Sequence, residues 1–278
     1  MIFYRVHIEL TNICGLKCTF CPPKIAPSKT MSLDFFEKTL KELRPYTKEL
    51  TFHVMGDPLT LSNLKEYLEL SHRYGFRVML TTSGYYLENH APETLLHPCV
   101  KQLNISLNSF NKNDVSLTQT RYFENIKMLC LVKLAHKPKI FINLRLWNLD
   151  EHGSDALFNE EVYSYFEKVF TRPIDRALLE NERPKSYRLA SKVLLHFDEY
   201  FEWPSVQSTH QSHGTCLGLQ SHFSILVDGR VVPCCLDAEG AITLGDLHVN
   251  TLEHILTNEK TKAIIEGFKK GAVSKVYL

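Results

Sequence analysis

Short apolar runs alternate with longer stretches of helical periodicity through the first half of the chain. The runs at 3–10, 50–55, 77–82, 102–107 and 140–147 read as strands. Those at 32–43, 62–74 and 121–135 read as helices, because apolar residues such as Phe35, Leu40 and Leu43 recur at helical spacing. Strand, helix, strand repeated in this order predicts a parallel sheet with right-handed crossovers. The leading architecture is an α/β fold, a partial or closed (β/α) barrel, with a doubly wound open sheet as the alternative.

Period-two alternation inside the strands adds a direction. Leu50, Phe52 and Val54 alternate with Thr51 and His53, and Ile142, Leu144 and Leu146 alternate with Asn143 and Arg145. A parallel sheet covered on both faces reads as nearly continuous hydrophobics. The mixed face therefore predicts a lined cavity rather than a packed centre. Residues 148–202 are less regular, with a helix expected near 159–170 and a strand over 193–201. The polar stretch 207–214 reads as a linker and places a soft boundary near Pro204, giving a core domain at 1–203 and a small α+β extension at 204–278. Within the extension, Asp228-Gly229 between apolar runs predicts a hairpin, and a helix is expected from Thr251.

Composition narrows the function. A chain of 278 residues suits one large α/β domain, or a core with an appendage, and 44% hydrophobic with 23% charged residues is ordinary for a globular protein. The net charge of +1 comes from 32 basic and 31 acidic residues, without the basic excess of a nucleic-acid binder. No apolar run approaches the roughly 20 residues that span a bilayer. The opening residues lack the basic, apolar and small-residue sections of a signal peptide, so the expected location is the cytoplasm. In such a chain the eight cysteines point to metal rather than disulfides. Cys99 and Cys130 stand apart in apolar surroundings and read as buried thiols.

The densest chemistry is Cys14-Gly15-Leu16-Lys17-Cys18-Thr19-Phe20-Cys21, three thiols in one loop with no obvious fourth ligand. Closed iron–sulfur and structural zinc sites use four ligands, so three argue for an open coordination position. Lys17 and Lys24 suit a loop that favours thiolates, or simply a solvated one. With Glu9-Leu10-Thr11-Asn12 ahead of it, the stretch resembles the opening signature of the radical S-adenosylmethionine (SAM) superfamily. The resemblance implies a [4Fe–4S] cluster on Cys14, Cys18 and Cys21 whose open iron chelates SAM. It also implies reductive cleavage of SAM to a 5′-deoxyadenosyl radical that abstracts hydrogen from a substrate. A low-potential electron donor such as flavodoxin or ferredoxin is then required. A peptide side chain is slightly favoured over a small alcohol as substrate.

Barrel enzymes place their chemistry at strand C-terminal ends, and further candidates lie there. Met55-Gly56-Asp57-Pro58 occupies the place of the family's Gly-Gly-Glu-Pro turn, which implies that Gly56 and Asp57 help to hold the amino group of SAM; an ordinary Gly-Asp-Pro turn is the plainer reading. Ser83, at the end of the third strand, and Asn104, Ser106 and Asn108, in and just after the fourth, resemble contacts to the ribose and carboxylate of SAM, though such residues also cluster at strand ends because they make turns. Arg145 at an inward strand position needs a planar acidic partner. The SAM carboxylate is one, and a structural Asp or Glu is the rival. His53, also inward, reads as a hydrogen-bonded core histidine.

In the extension, Cys216 and Cys234 follow the spacing C-x12-G-x4-C and the hairpin is expected to return one towards the other. The pattern is similar to the start of the SPASM and twitch domains, which implies an auxiliary iron–sulfur cluster. No cysteine follows Cys235, so the expected site is half built, as in a truncated or degenerate domain. Cys235 reads as a third ligand or a core thiol, and zinc with a histidine such as His222 is an alternative. The competing class is a non-catalytic iron–sulfur or zinc protein for electron transfer or architecture. RNA modification is disfavoured by the neutral charge.

Overall fold

The computed structural model describes all residues except 25, 112, 114–115, 137–138, 148–154, 200–202, 205–212, 215 and 272–278. Among the described residues there are ten strands: Arg5–Ile8 (β1), Glu49–Phe52 (β2), Arg77–Thr82 (β3), Val100–Ser106 (β4), Phe141–Trp147 (β5), Ser186–Ala190 (β6), Val193–Asp198 (β7), His222–Ile225 (β8), Arg230–Val232 (β9) and Gly245–Asp246 (β10). The chain divides into two compact units. One comprises 1–14, 23–78 and 203–278, and the other 15–22 and 79–202. Among the described residues no helix is long and apolar enough to cross a membrane.

In the first unit the strand order is β10-β9-β8-β1-β2, with β1 parallel to both β2 and β8. The helix Leu33–Leu43 makes the crossover from β1 to β2. It starts where the Ser32 hydroxyl accepts a hydrogen bond from Phe35 N at 3.2 Å, an N-cap that satisfies one of the helix's free donors. Its buried stripe is Phe36, Leu40 and Leu43. Phe35, expected on that face, is one position off it and stacks on His248 at 4.0 Å. Phe36 instead meets Phe52 and Tyr67 edge to face, closing the helix onto β2. The expected hairpin is present: β8 and β9 are antiparallel across the Asp228-Gly229 turn, where Gly229 adopts φ +94°.

In the second unit the order is β3-β4-β5-β7-β6, with β4, β5 and β7 mutually parallel in sequence and β6 antiparallel to β7 across a bulge. The helix Gln119–His136 connects β4 to β5, and Ala156–Phe170 follows β5, capped by Asp155. β6 and the helix Arg176–Glu182 carried no clear sequence pattern. The expected strand 193–201 ends at Asp198, and 200–202 lie outside the described residues, as does most of the expected linker 207–214.

The alternation of faces holds, with a difference between the units. In the second unit Leu103, Ile105, Ile142, Leu144, Leu195 and Phe197 are fully buried, while Asn104, Ser106, Asn143, Arg145 and His196 on the opposite face are half-buried. That face is the polar one the alternation predicts. In the first unit the polar face is more deeply covered: His7, Glu9, Thr51 and Ser224 are buried, with His53 and His222 half-buried beside them. Cys99 and Cys130 are buried as expected, and burial pushes both thiols up to about 12.

Candidate functional site

The cysteine loop follows β1. Cys14 ends the first segment of the first unit, and 15–22 belong to the second. There Gly15 takes φ +75°, and a Cβ on it would meet the Tyr86 hydroxyl at 2.0 Å, so the position requires glycine. Cys21 N donates to Cys18 O at 3.0 Å, which turns the loop back on itself. Phe20 sets its ring edge on Trp147 at 4.7 Å. Asn113 clamps the loop from the segment after β4: its Oδ1 accepts from Lys17 N at 2.7 Å, and its Nδ2 lies 2.9 Å from Cys18 Sγ and 2.6 Å from Ser109 O.

These contacts shape the thiol. Hydrogen bonding with Cys21, aided by Asn113 and Ser109 and opposed by burial, brings Cys18 down to about 6. Lys17 engages Asn113 through its backbone, and Lys24 Nζ donates to Ser28 Oγ at 2.8 Å. Among the described residues no three Cys, His, Asp or Glu side chains are gathered at metal-binding distance. The donor chemistry nonetheless fits an iron–sulfur cluster: three thiols within eight residues, one held towards its thiolate.

The turn after β2 lies in the first unit. Gly56 packs so tightly that an added Cβ would stand 1.9 Å from Thr11 O, and Asp57 N donates to Ile13 O at 3.0 Å. The turn is thereby tied to the chain just before Cys14. The Asp57 side chain caps the short helical turn Pro58–Thr60, accepting from Leu59 N at 3.0 Å. Glu9, buried just after β1, receives Met55 N on Oε1 at 3.1 Å and Val227 N on Oε2 at 3.0 Å. Burial outweighs these hydrogen bonds and raises its carboxyl to about 7. A charged residue on the mixed face of an apolar strand was the signal for Glu9, but its partners are backbone amides, which no side-chain pattern announces.

In the second unit Ser106 and Arg145 are register partners on β4 and β5, and Arg145 is paired in turn with His196 on β7. Arg145 forms an ion pair with Asp198, Nη2 to Oδ2 at 3.5 Å, with both side chains more than a third exposed. The structural partner weighed for Arg145 is thus present. Asn104 sits in an amide ladder, accepting from Gln102 at 2.8 Å and Asn143 at 3.2 Å and donating to Thr81 at 3.2 Å. Ser83 Oγ accepts from Tyr85 N, and its carbonyl accepts from Tyr122 Oη at 2.7 Å. Asn108 is buried in the short helix Leu107–Asn111. Asn113 and Asp198 carried no sequence signal, because their partners are 95 and 53 residues away.

In the extension the hairpin returns Cys234 to Cys216. The two thiols hydrogen-bond, which lowers Cys216 to about 6 and raises Cys234, whose burial adds to the rise. Gly218 allows the approach, since a Cβ there would meet Pro233 O at 2.8 Å. Cys235 packs instead against the apolar cluster of Val54, Leu226 and Val232, beside Met55. His222 shares a hydrogen bond of 2.9 Å with Ser221 through Nδ1.

Comparison with known proteins places this geometry. The model of the radical SAM superfamily matches residues 8–137, and the SPASM model, an iron–sulfur cluster-binding domain, matches 216–275. GTP 3′,8-cyclase of Chlorobaculum tepidum is 26% identical over 157 residues, 55% of this chain and 47% of the relative. The chain thus spans about half the length of that relative. GTP 3′,8-cyclase of Synechocystis is 23% identical over 264 residues, 85% of this chain and 80% of the relative. The fold is shared with BtrN in complex with AdoMet and 2-DOIA, at TM-score 0.62 and 15% identity over 98% of this chain and 89% of that one. It is shared also with SuiB of Streptococcus suis bound to the precursor peptide SuiA, at TM-score 0.61 and 12% identity over 96% and 67%.

Proposed function

The chain belongs to the radical SAM superfamily and carries a C-terminal SPASM domain, and from that premise we propose that it cleaves SAM reductively and directs the 5′-deoxyadenosyl radical to a hydrogen atom of its substrate. The family implies a [4Fe–4S] cluster and SAM as cofactors, and the SPASM domain an auxiliary iron–sulfur site. The reading assigns 1–203 to the radical SAM core and 204–278 to the extension.

The observation that carries it is the loop: Cys14, Cys18 and Cys21 supply three thiols, and Asn113 holds Cys18 in the hydrogen bonds that favour its thiolate. In this reading the three cysteines hold the cluster. Gly56 lets the turn after β2 press against Thr11, leaving backbone carbonyls of that turn to receive the amino group of SAM while the Asp57 side chain caps the turn. Arg145 binds the carboxylate of SAM, with Asp198 orienting the guanidinium, and Ser83, Ser106 and Asn108 contribute polar contacts to the nucleoside. Cys216 and Cys234 begin the auxiliary site. The electron comes from a low-potential donor such as flavodoxin or ferredoxin.

A peptide side chain is the favoured substrate class, supported by the likeness to SuiB with its precursor peptide. The relatives named for GTP supply the competing class. The test is anaerobic reconstitution with iron and sulfide followed by SAM and dithionite. The parent is expected to form 5′-deoxyadenosine and Cys18→Ala to form none. Equal formation by the two would overturn the assignment. Stimulation of the rate by GTP rather than by peptides would move the substrate to the nucleotide class.

A further inference from the structure

One face of β8-β1-β2 buries Val6, Ile8, Leu50, Phe52, Phe223 and Ile225 completely. The opposite face carries a row of polar side chains in register: His7 on β1 is the partner of Thr51 on β2 and of Ser224 on β8. All three are more than nine-tenths buried, at 7%, 4% and 0% exposure. Among the described residues His7 Nδ1, Thr51 Oγ1 and Ser224 Oγ find no hydrogen-bond partner. Leaving such a buried atom unpaired is costly. Three in one row of adjacent strands, spaced about 4.8 Å apart, is not a scatter of isolated defects.

The surroundings define what would satisfy them. The rings of His53 and His222 flank His7, with centroids at 6.2 and 5.5 Å. Glu9, just past the end of β1, already has both oxygens engaged by backbone N–H groups. Burial and the neighbouring His53, His222 and Arg5 keep His7 neutral. The row thus offers two hydroxyls, each able to donate and to accept, and a neutral imidazole nitrogen. Each of the three can donate or accept, so a partner that does both satisfies the row in either tautomer of His7. A hydroxyl does both. The row is no metal site, since no three metal-ligating side chains gather there among the described residues.

We infer that the His7–Thr51–Ser224 row binds neutral O–H groups, either ordered water or the hydroxyls of a polyhydroxylated ligand that displaces it. This goes beyond the proposed function and does not rest on it. One or two oxygens bridging three strands suffice, because a buried water typically makes about three hydrogen bonds.

The test is crystallographic, on the anaerobically reconstituted full chain, alone and with myo-inositol. In both crystals an ordered oxygen is expected within hydrogen-bonding distance of His7 Nδ1 and at least one of the two hydroxyls, and it should vanish in the Thr51→Val/Ser224→Ala variant. An isolated peak in both crystals identifies water as the source, and continuity with inositol density identifies a polyol site. A row without any ordered oxygen, or an oxygen that persists in the double variant, overturns the inference. Formation of 5′-deoxyadenosine by the parent is read separately, so failure here is distinct from failure of the radical SAM reading.

Discussion

Glu9 Oε2 accepts a hydrogen bond from Val227 N at 3.0 Å, across 218 residues of chain, while its other oxygen holds Met55 N. One buried carboxyl therefore fastens the turn that carries Gly56 to the turn of the β8–β9 hairpin.

The first prediction follows from its titration. The folded state raises Glu9 from 4.5 to about 7, so between those values the folded protein keeps a proton that the unfolded chain has released. Stability is expected to fall as pH rises through that window, by at most about 3 kcal/mol from this group. Glu9→Gln should flatten the dependence and lower stability overall, because its amide nitrogen would face a backbone donor. Urea midpoints measured across the window check both.

Asn113→Ala removes a hydrogen bond to Cys18 and the brace on Lys17. A hydrogen bond to a charged group is worth about 1.5–3 kcal/mol, so Cys18 should rise by about 1 unit or more. The thiolate absorbance of the cluster-free protein as a function of pH reads this directly. An unchanged titration would show that Cys21 alone controls the thiol.

Arg145→Ala should weaken SAM binding by about tenfold to a hundredfold if the guanidinium holds a carboxylate. The exposed pair with Asp198 is worth only about 0–1 kcal/mol, so the variant's melting temperature should barely move. Lost thermal stability with unchanged SAM affinity would assign Arg145 to the ion pair alone.

Gly56→Ala places a methyl 1.9 Å from Thr11 O, against backbone that cannot rotate away. Destabilisation of about 1–3 kcal/mol is expected. It should be accompanied by weaker SAM binding, and calorimetry and ligand titration separate the two.

For the extension, iron analysis of the Cys14/Cys18/Cys21 triple Ala variant isolates what Cys216 and Cys234 hold. With Cys235 packed into the apolar cluster beside Val54 and Leu226, less than one cubane per chain is expected. A full cubane would make Cys235 or a histidine the further ligand.

The sequence by itself determined most elements of the first half of the chain and the donor set. The short apolar runs gave β3 at its observed bounds and the other core strands of the first half within a few residues. The Asp228-Gly229 hairpin and the buried Cys99 and Cys130 follow from equally local rules, as does the crowding of three thiols into one loop. Tertiary structure decided what each polar group meets. Glu9 found backbone amides at Met55 and Val227, Arg145 found Asp198, and Cys18 found Asn113. Periodicity fixes which face a side chain points from, but a hydrogen-bond partner many residues away is set by strand order and register, which only the folded chain brings into being.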